Sequence, residues 1–184
     1  MADYHSKIKL NEELYTIIKN QIYSLENDRL SIQIQLENDK TKKKLNVVFV
    51  PGKELEGTKT LIADVQYLYN DGISWCFVNP DNYKLYVVSK EIVGFSGQWL
   101  RERDICMLTL YQDQVISVIV AKEMILKVAD VVAKKEGDIE QTFVTLETGV
   151  VLPISFPVQK GDFVKINTWA GKIISCLEIK NGVD

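Results

Sequence analysis

The side chains able to do covalent chemistry are few and poorly spaced for it. The only histidine, His5, sits at the chain start, which excludes a His-based triad and any multi-His metal site. Cys76, Cys106 and Cys176 are odd in number, far apart and in no metal-ligand spacing, so they read as reduced, mostly buried thiols. The carboxylates Glu12-Glu13 and Glu26 with Asp28 are adjacent surface charges, not an acid–base pair held at a fixed separation. Val50-Pro51-Gly52-Lys53-Glu54 has turn chemistry but lacks the second glycine and the Lys-Ser/Thr ending of a phosphate-cradling loop. The expectation is a protein with no catalytic residue, no metal, no cofactor and no small-molecule substrate: not an enzyme.

Binding chemistry is better represented. Lys40, Lys42, Lys43 and Lys44 crowd one polar segment. On a turn they are easily solvated and discourage edge-to-edge aggregation. Alternatively they form a phosphate-contact patch, each lysine steepening the salt dependence of RNA binding. Tyr67, Tyr69, Trp75, Phe77, Tyr83 and Tyr86 cluster further on, where aromatic rings could serve as stacking platforms. Alternation, however, puts Trp75 and Phe77 on one face of a strand, the arrangement that a barrel core requires.

Charge is a weak guide to the partner. The 184 residues hold 22 Lys+Arg against 25 Asp+Glu, a net charge of -3. Residues 1–62 hold 10 basic and 9 acidic side chains, 63–126 hold 5 and 8, and 127–184 hold 7 and 8. Only the first third leans basic, so charge alone would not indicate RNA. With 46% hydrophobic and 26% charged residues the chain has an ordinary globular composition. No window nears the ~20 apolar residues of a membrane span, and Met1-Ala2-Asp3-Tyr4-His5-Ser6 lacks a signal-peptide pattern. A cytoplasmic protein without a membrane partner is expected.

The elements that must position these residues are strands. Ser31–Leu36 alternates polar and apolar, and Leu45–Val50 follows after the polar turn Glu37-Asn38-Asp39-Lys40-Thr41, which predicts a hairpin. Further strands are predicted at Lys84–Val88, Ile105–Tyr111, Val115–Val120, Val150–Ile154 and Phe163–Ile166, with turns at Gln112-Asp113-Gln114 and Gln159–Asp162. Single helical turns are predicted at Ser89–Val93, capped by Ser89, and at Gln98–Glu102. Many short strands at regular spacing indicate an all-β chain of small barrels, divided at 1–62, 63–126 and 127–184.

Specific strings then point to a family. Tyr67-Leu68-Tyr69-Asn70-Asp71-Gly72, followed by Trp75 and Phe77, resembles the start of the second domain of bacterial elongation factor P. Gln98-Trp99-Leu100, Cys106–Tyr111 and Val115–Val118 keep that family's order. Thr145-Leu146-Glu147-Thr148-Gly149-Val150-Val151-Leu152-Pro153, with Gly161-Asp162 and Val164-Lys165-Ile166, is similar to its third-domain signature. The resemblance implies an L-shaped, all-β factor: an SH3-like (KOW-like) barrel followed by two OB-fold barrels. It implies a monomer that binds the ribosome beside peptidyl-tRNA and relieves stalling at consecutive prolines.

Two departures bear on activity. Members of the family carry a long first-domain loop whose tip residue is often modified and reaches the tRNA acceptor end. Here the span from Ser24 to Ser31 is too short for that loop, and Glu26-Asn27-Asp28-Arg29 reads as a direct hairpin turn. Pro51-Gly52-Lys53 imitates the missing string but follows a later strand. It is read as an unrelated loop, with Lys53 as the alternative modified lysine. In the third domain, Gly137-Asp138-Ile139 stands where the family has a Gly-Asp-Thr loop near the E-site codon, and Ile173 and Cys176 stand for a Tyr and an Arg after the Thr168–Gly171 turn. The expected tRNA or rRNA contacts are thus Asn27, Asp28, Arg29, Lys40, Lys42, Lys43, Lys44, Gly137 and Asp138. The expected function is a non-catalytic elongation factor with weakened proline rescue. The alternative is a diverged paralogue acting as an RNA- or protein-binding scaffold.

Overall fold

Period-two alternation is realised throughout the structure, a computed structural model that describes residues 7–24, 30–55, 58–136 and 139–177. The chain is all-β, as expected, apart from one short helical passage. It divides into two compact units, residues 1–120 and 121–184.

The first unit opens with the antiparallel meander β1 (Lys7–Leu10), β2 (Glu13–Ser24), β3 (Leu30–Asn38) and β4 (Lys44–Phe49). Asn11 and Glu12 both have positive φ, which closes β1–β2 with a two-residue turn whose twist matches the strands. The predicted hairpin is β3–β4, in the register Leu36 opposite Leu45 and Ile32 opposite Phe49. Ile32, Ile34, Leu36 and Phe49 point into the core from it. A minimal pair, β5 (Glu54–Leu55) and β6 (Thr58–Lys59), follows.

The middle sheet comprises β7 (Leu61–Asn70), β8 (Ser74–Val78), β9 (Leu85–Ser89), β10 (Ile105–Tyr111) and β11 (Gln114–Ile119), in spatial order β11-β10-β7-β8-β9. The long β7 serves both halves, pairing with β10 through its first six residues and with β8 through its last five. One strand shared in this way lets a five-stranded sheet curl into an OB-type barrel. Helix α1 (Lys90–Val93) and a 3-10 turn, Gly94–Trp99, connect β9 to β10.

Three local expectations are corrected here. The second helical turn ends at Trp99 and does not span 98–102, because Leu100 is already extended at φ -75° and ψ 133°. Ser89 occupies the N-cap position, but its hydroxyl makes no capping hydrogen bond. The β10–β11 turn is the two residues Gln112 and Asp113, both at positive φ, and Gln114 belongs to β11. Of the thiols only Cys106 is buried, Cys76 and Cys176 being half-exposed. Trp75 is likewise half-buried, while Phe77 is fully enclosed against Tyr67.

The second unit repeats the shared-strand device. Its strands β12 (Glu123–Glu136), β13 (Ile139–Leu146), β14 (Val151–Ile154), β15 (Phe163–Asn167) and β16 (Lys172–Leu177) lie in the order β14-β13-β12-β15-β16. β12 pairs with β15 from Glu123 to Lys127 and with β13 from Val128 onward, with a bulge between Val128 and Asp130 that bends the strand. Leu126, Val128, Val144, Leu146, Val164 and Ile166 fill the interior. The sheet breaks fall before Leu61 and before Glu123. The expected boundaries at 62/63 and 126/127 therefore lie inside β7 and β12.

Candidate nucleic-acid interface

The lysine cluster is built on the β3–β4 turn, and a single asparagine organises it. The buried Asn38 accepts hydrogen bonds at Oδ1 from the backbone N–H groups of Lys40 (3.0 Å) and Thr41 (2.9 Å). Its carbonyl accepts from Lys42 N–H at 2.9 Å, and its Nδ2 donates to Glu13 at 2.7 Å. The same residue thus closes the turn and ties it to β2. Lys42 adopts positive φ, and Lys40, Lys42, Lys43 and Lys44 are all exposed.

This patch is only partly cationic. Lys42 Nζ lies 3.5 Å from the Glu37 carboxylate and Lys7 Nζ 2.9 Å from that of Asp39. Thr16 Oγ1 also donates to Asp39, at 2.7 Å. The Thr16 hydrogen bond, then the Lys7 ammonium, hold the Asp39 carboxyl below its ordinary range. Lys40, Lys43 and Lys44 are the cations of this turn best placed to meet an external phosphate.

Register separates residues that the sequence reading grouped together. β2 and β3 stay paired as far as Ser24 opposite Leu30, so five residues, 25–29, join them. Asn27, Asp28 and Arg29 lie outside the described residues. Their attachment point is nevertheless the far end of β3 from the lysine turn, about 26 Å away at ~3.3 Å per residue. Ser24 and Leu30, which flank that span, therefore lie at the opposite end of the first sheet from the lysine turn.

Lys53 lies beyond the end of β4 that pairs with the start of β3. Ile32, near the start of β3, pairs with Phe49 at the end of β4, and the Val50–Lys53 turn follows directly. Gly52 has φ +78°, as the third position of a Pro-Gly turn requires, and Lys53 N–H donates to Val50 O at 3.0 Å. Thr60, through N–H at 3.1 Å and Oγ1 at 2.8 Å, donates to the Lys53 carbonyl, so the backbone is pinned beneath an exposed side chain. Chain order alone does not show this, because only the strand register brings the turn to the Ile32 end of β3.

In the second unit Glu136 pairs with Ile139, so two residues join β12 to β13. Those two, Gly137 and Asp138, lie outside the described residues. The Thr168–Gly171 turn is present: Asn167 Oδ1 accepts from Trp169 N–H (3.1 Å) and Ala170 N–H (2.9 Å), and Gly171 is at φ +63°. Ile173 pairs with Ile166 in β16, and the Cys176 thiol is directed at the Asp162 carboxylate, 3.9 Å away. Among the described residues no group of three or more His, Cys, Asp or Glu side chains converges as a metal site would.

Comparison with known proteins identifies relatives of the chain. The family model described as the elongation factor P (EF-P) OB domain matches residues 63–118. Elongation factor P of Vesicomyosocius okutanii subsp. Calyptogena okutanii (strain HA) is 33% identical over 165 residues, covering 88% of each chain. Elongation factor P of Baumannia cicadellinicola subsp. Homalodisca coagulata is 31% identical over 173 residues, covering 92% of each. A solved structure, eukaryotic translation initiation factor 5A from Methanococcus jannaschii, aligns with a TM-score of 0.32 at 12% identity, covering 64% of this chain and 88% of that one.

Sequence and fold together thus define a translation elongation factor, of a class that works without catalytic residues. The chain belongs to the elongation factor P family.

Proposed function

We propose that the protein binds the ribosome beside peptidyl-tRNA as a cytoplasmic monomer of three domains and assists peptide-bond formation by positioning alone. Orientation of reacting groups contributes several kcal/mol to bimolecular steps, so a neighbour that steadies the tRNA accelerates transfer without touching the bond. Lys40, Lys43 and Lys44 supply phosphate contacts on the first sheet, and Asn27–Arg29 and Gly137-Asp138 are the other contact candidates.

The observation that carries this reading further is the pairing of β2 with β3 as far as Ser24 and Leu30. Five residues leave no length for a long projecting loop. The protein therefore steadies the tRNA body and contributes little at the acceptor end, so its rescue of consecutive prolines is weak.

Reconstituted translation of a Pro-Pro-Pro reporter tests this. Co-sedimentation with ribosomes that is lost steeply as salt rises, with little relief of the stall, is the expected outcome. Strong rescue by unmodified protein refutes the loop argument, and an adduct found on Lys53 by peptide mapping would transfer the tip's role to that turn. Absence of co-sedimentation favours a scaffold for another partner, a reading suggested by the replacement of a cationic position by Cys176.

A further inference from the structure

Two buried hydroxyls lie where the first sheet covers the middle one. Alternation along β10 sends Leu108 and Leu110 to one side and Thr109 and Tyr111 to the other. Tyr111 meets Phe49 of β4 ring to ring at 5.7 Å, and β11 contacts β2, so the Thr109 side faces the first sheet. Ser117 of β11 is directly opposite Thr109 in the ladder and shares that side. Both residues are 0% exposed. Neither Thr109 Oγ1 nor Ser117 Oγ has a hydrogen-bond partner among the described residues, and they do not bond each other. Other buried hydroxyls find one: Ser96 Oγ donates to Val118 O and Thr168 Oγ1 to Ala121 O, each at 2.7 Å. Of the buried polar side-chain atoms left unpaired among the described residues, only these two are set directly opposite each other by register.

Hydroxyls enclosed without a partner lose their hydration uncompensated. Directly opposite residues of an antiparallel pair have Cβ atoms about 4.5–5.5 Å apart. One water closes such a span with two bonds of about 2.8 Å. The ladder is also interrupted beside the pair, because Ile116, fully buried, is the extra residue of a bulge and has no partner on β10. We propose that Thr109 and Ser117 form a binding site for one water molecule enclosed between the first and middle sheets. Each hydroxyl can donate one bond and accept two, which suits a ligand that does both. An ion of either sign would lack a counter-charge there, since no charged residue is buried among the described residues. The water sits in the joint between two sheets, so it exchanges only when they part, and its residence time reports that opening. This assignment goes beyond the proposed function: it concerns how the two sheets are joined and holds whatever they bind.

Magnetic relaxation dispersion of the water oxygen, measured on the full chain, counts enclosed waters without interference from exchanging hydroxyl protons. Thr109→Val combined with Ser117→Ala is expected to lower that count by one. Thr109→Ser, which keeps the hydroxyl, is expected to leave it unchanged. An amide correlation spectrum that matches the wild type away from the seam shows that the variants keep the fold. A crystal structure of the unaltered chain needs no variant: an ordered oxygen atom within hydrogen-bond distance of both Thr109 Oγ1 and Ser117 Oγ is the expected result. The proposal is overturned by an equal count in wild type and double variant, by loss of a water in Thr109→Ser, or by a crystal structure that shows a direct Thr109–Ser117 bond or no oxygen atom between them.

Discussion

The Asn20 carboxamide, on β2, rests directly against Gly94, on the turn after α1, and donates its Nδ2 hydrogen to the carbonyl of Ile92. Gly94 has φ +54° and ψ -137°, a conformation open to glycine, and a Cβ there would collide with the carboxamide oxygen. Asn20 is buried, so its hydrogen bond is made away from water. Together with the edge-to-face pair Phe49–Tyr111, at 5.7 Å and 69°, it joins the first and middle sheets into one unit.

Gly94→Ala is accordingly expected to destabilise the protein by about 2–4 kcal/mol, and Asn20→Ala by about 1–3 kcal/mol through the unsatisfied Ile92 carbonyl. The double variant should cost less than the sum, because removing the carboxamide makes room for the new methyl. Urea unfolding of the four proteins measures the coupling; strict additivity would show that the two residues act independently.

The lysine turn yields an electrostatic prediction. Replacing Lys40, Lys43 and Lys44 together by Ala should weaken ribosome binding and flatten its dependence on salt, each lost phosphate contact lowering the log–log slope by about 0.7–0.9. Lys42→Ala should do less, since its ammonium already faces Glu37 at 3.5 Å. Affinities measured across a salt series read both effects, and equal slopes for all variants would remove these lysines from the interface.

Acid stability follows from Asp39. Its carboxyl is held below the ordinary 3.8 by the Thr16 hydroxyl and then by the Lys7 ammonium. A depressed folded value means that the carboxylate contributes stability above about pH 3.8, which is lost as pH falls through the folded value. Asp39→Asn and Thr16→Val should both lower stability near neutrality and flatten its decline in acid. Urea midpoints between roughly pH 2 and 7 check this, and wild-type slopes in both variants would contradict it.

Thiol reactivity separates the cysteines. Burial, then the nearby Asp104 and Asp64 charges, push the Cys106 thiol up to about 12, leaving on the order of one thiolate in ten thousand at pH 8. Cys106 should stay unlabelled by Ellman's reagent until denaturant is added. Cys76 and Cys176, each half-exposed, should react first, and peptide mapping assigns the sites. Native-state labelling of Cys106 would reveal an opening of the middle sheet.

Strand alternation, turn residues and the Tyr-Asn-Asp-Gly and Thr-Gly-Val-Val-Leu-Pro strings were legible along the chain because each depends on neighbours a few residues away. The β3–β4 hairpin, the Asn38 turn and the family follow from them. Which residues share a place did not follow. The distance between Leu30 and the lysine turn, and the placing of the Val50–Lys53 turn at the Ile32 end of β3, depend on register between strands. The meeting of Thr109 with Ser117 likewise joins two strands whose individual sequences look unexceptional. Register and barrel curvature are fixed by contacts between residues distant in sequence, such as Ile32 with Phe49 and Asn20 with Gly94. No local pattern encodes these pairs, and only the assembled structure decides them.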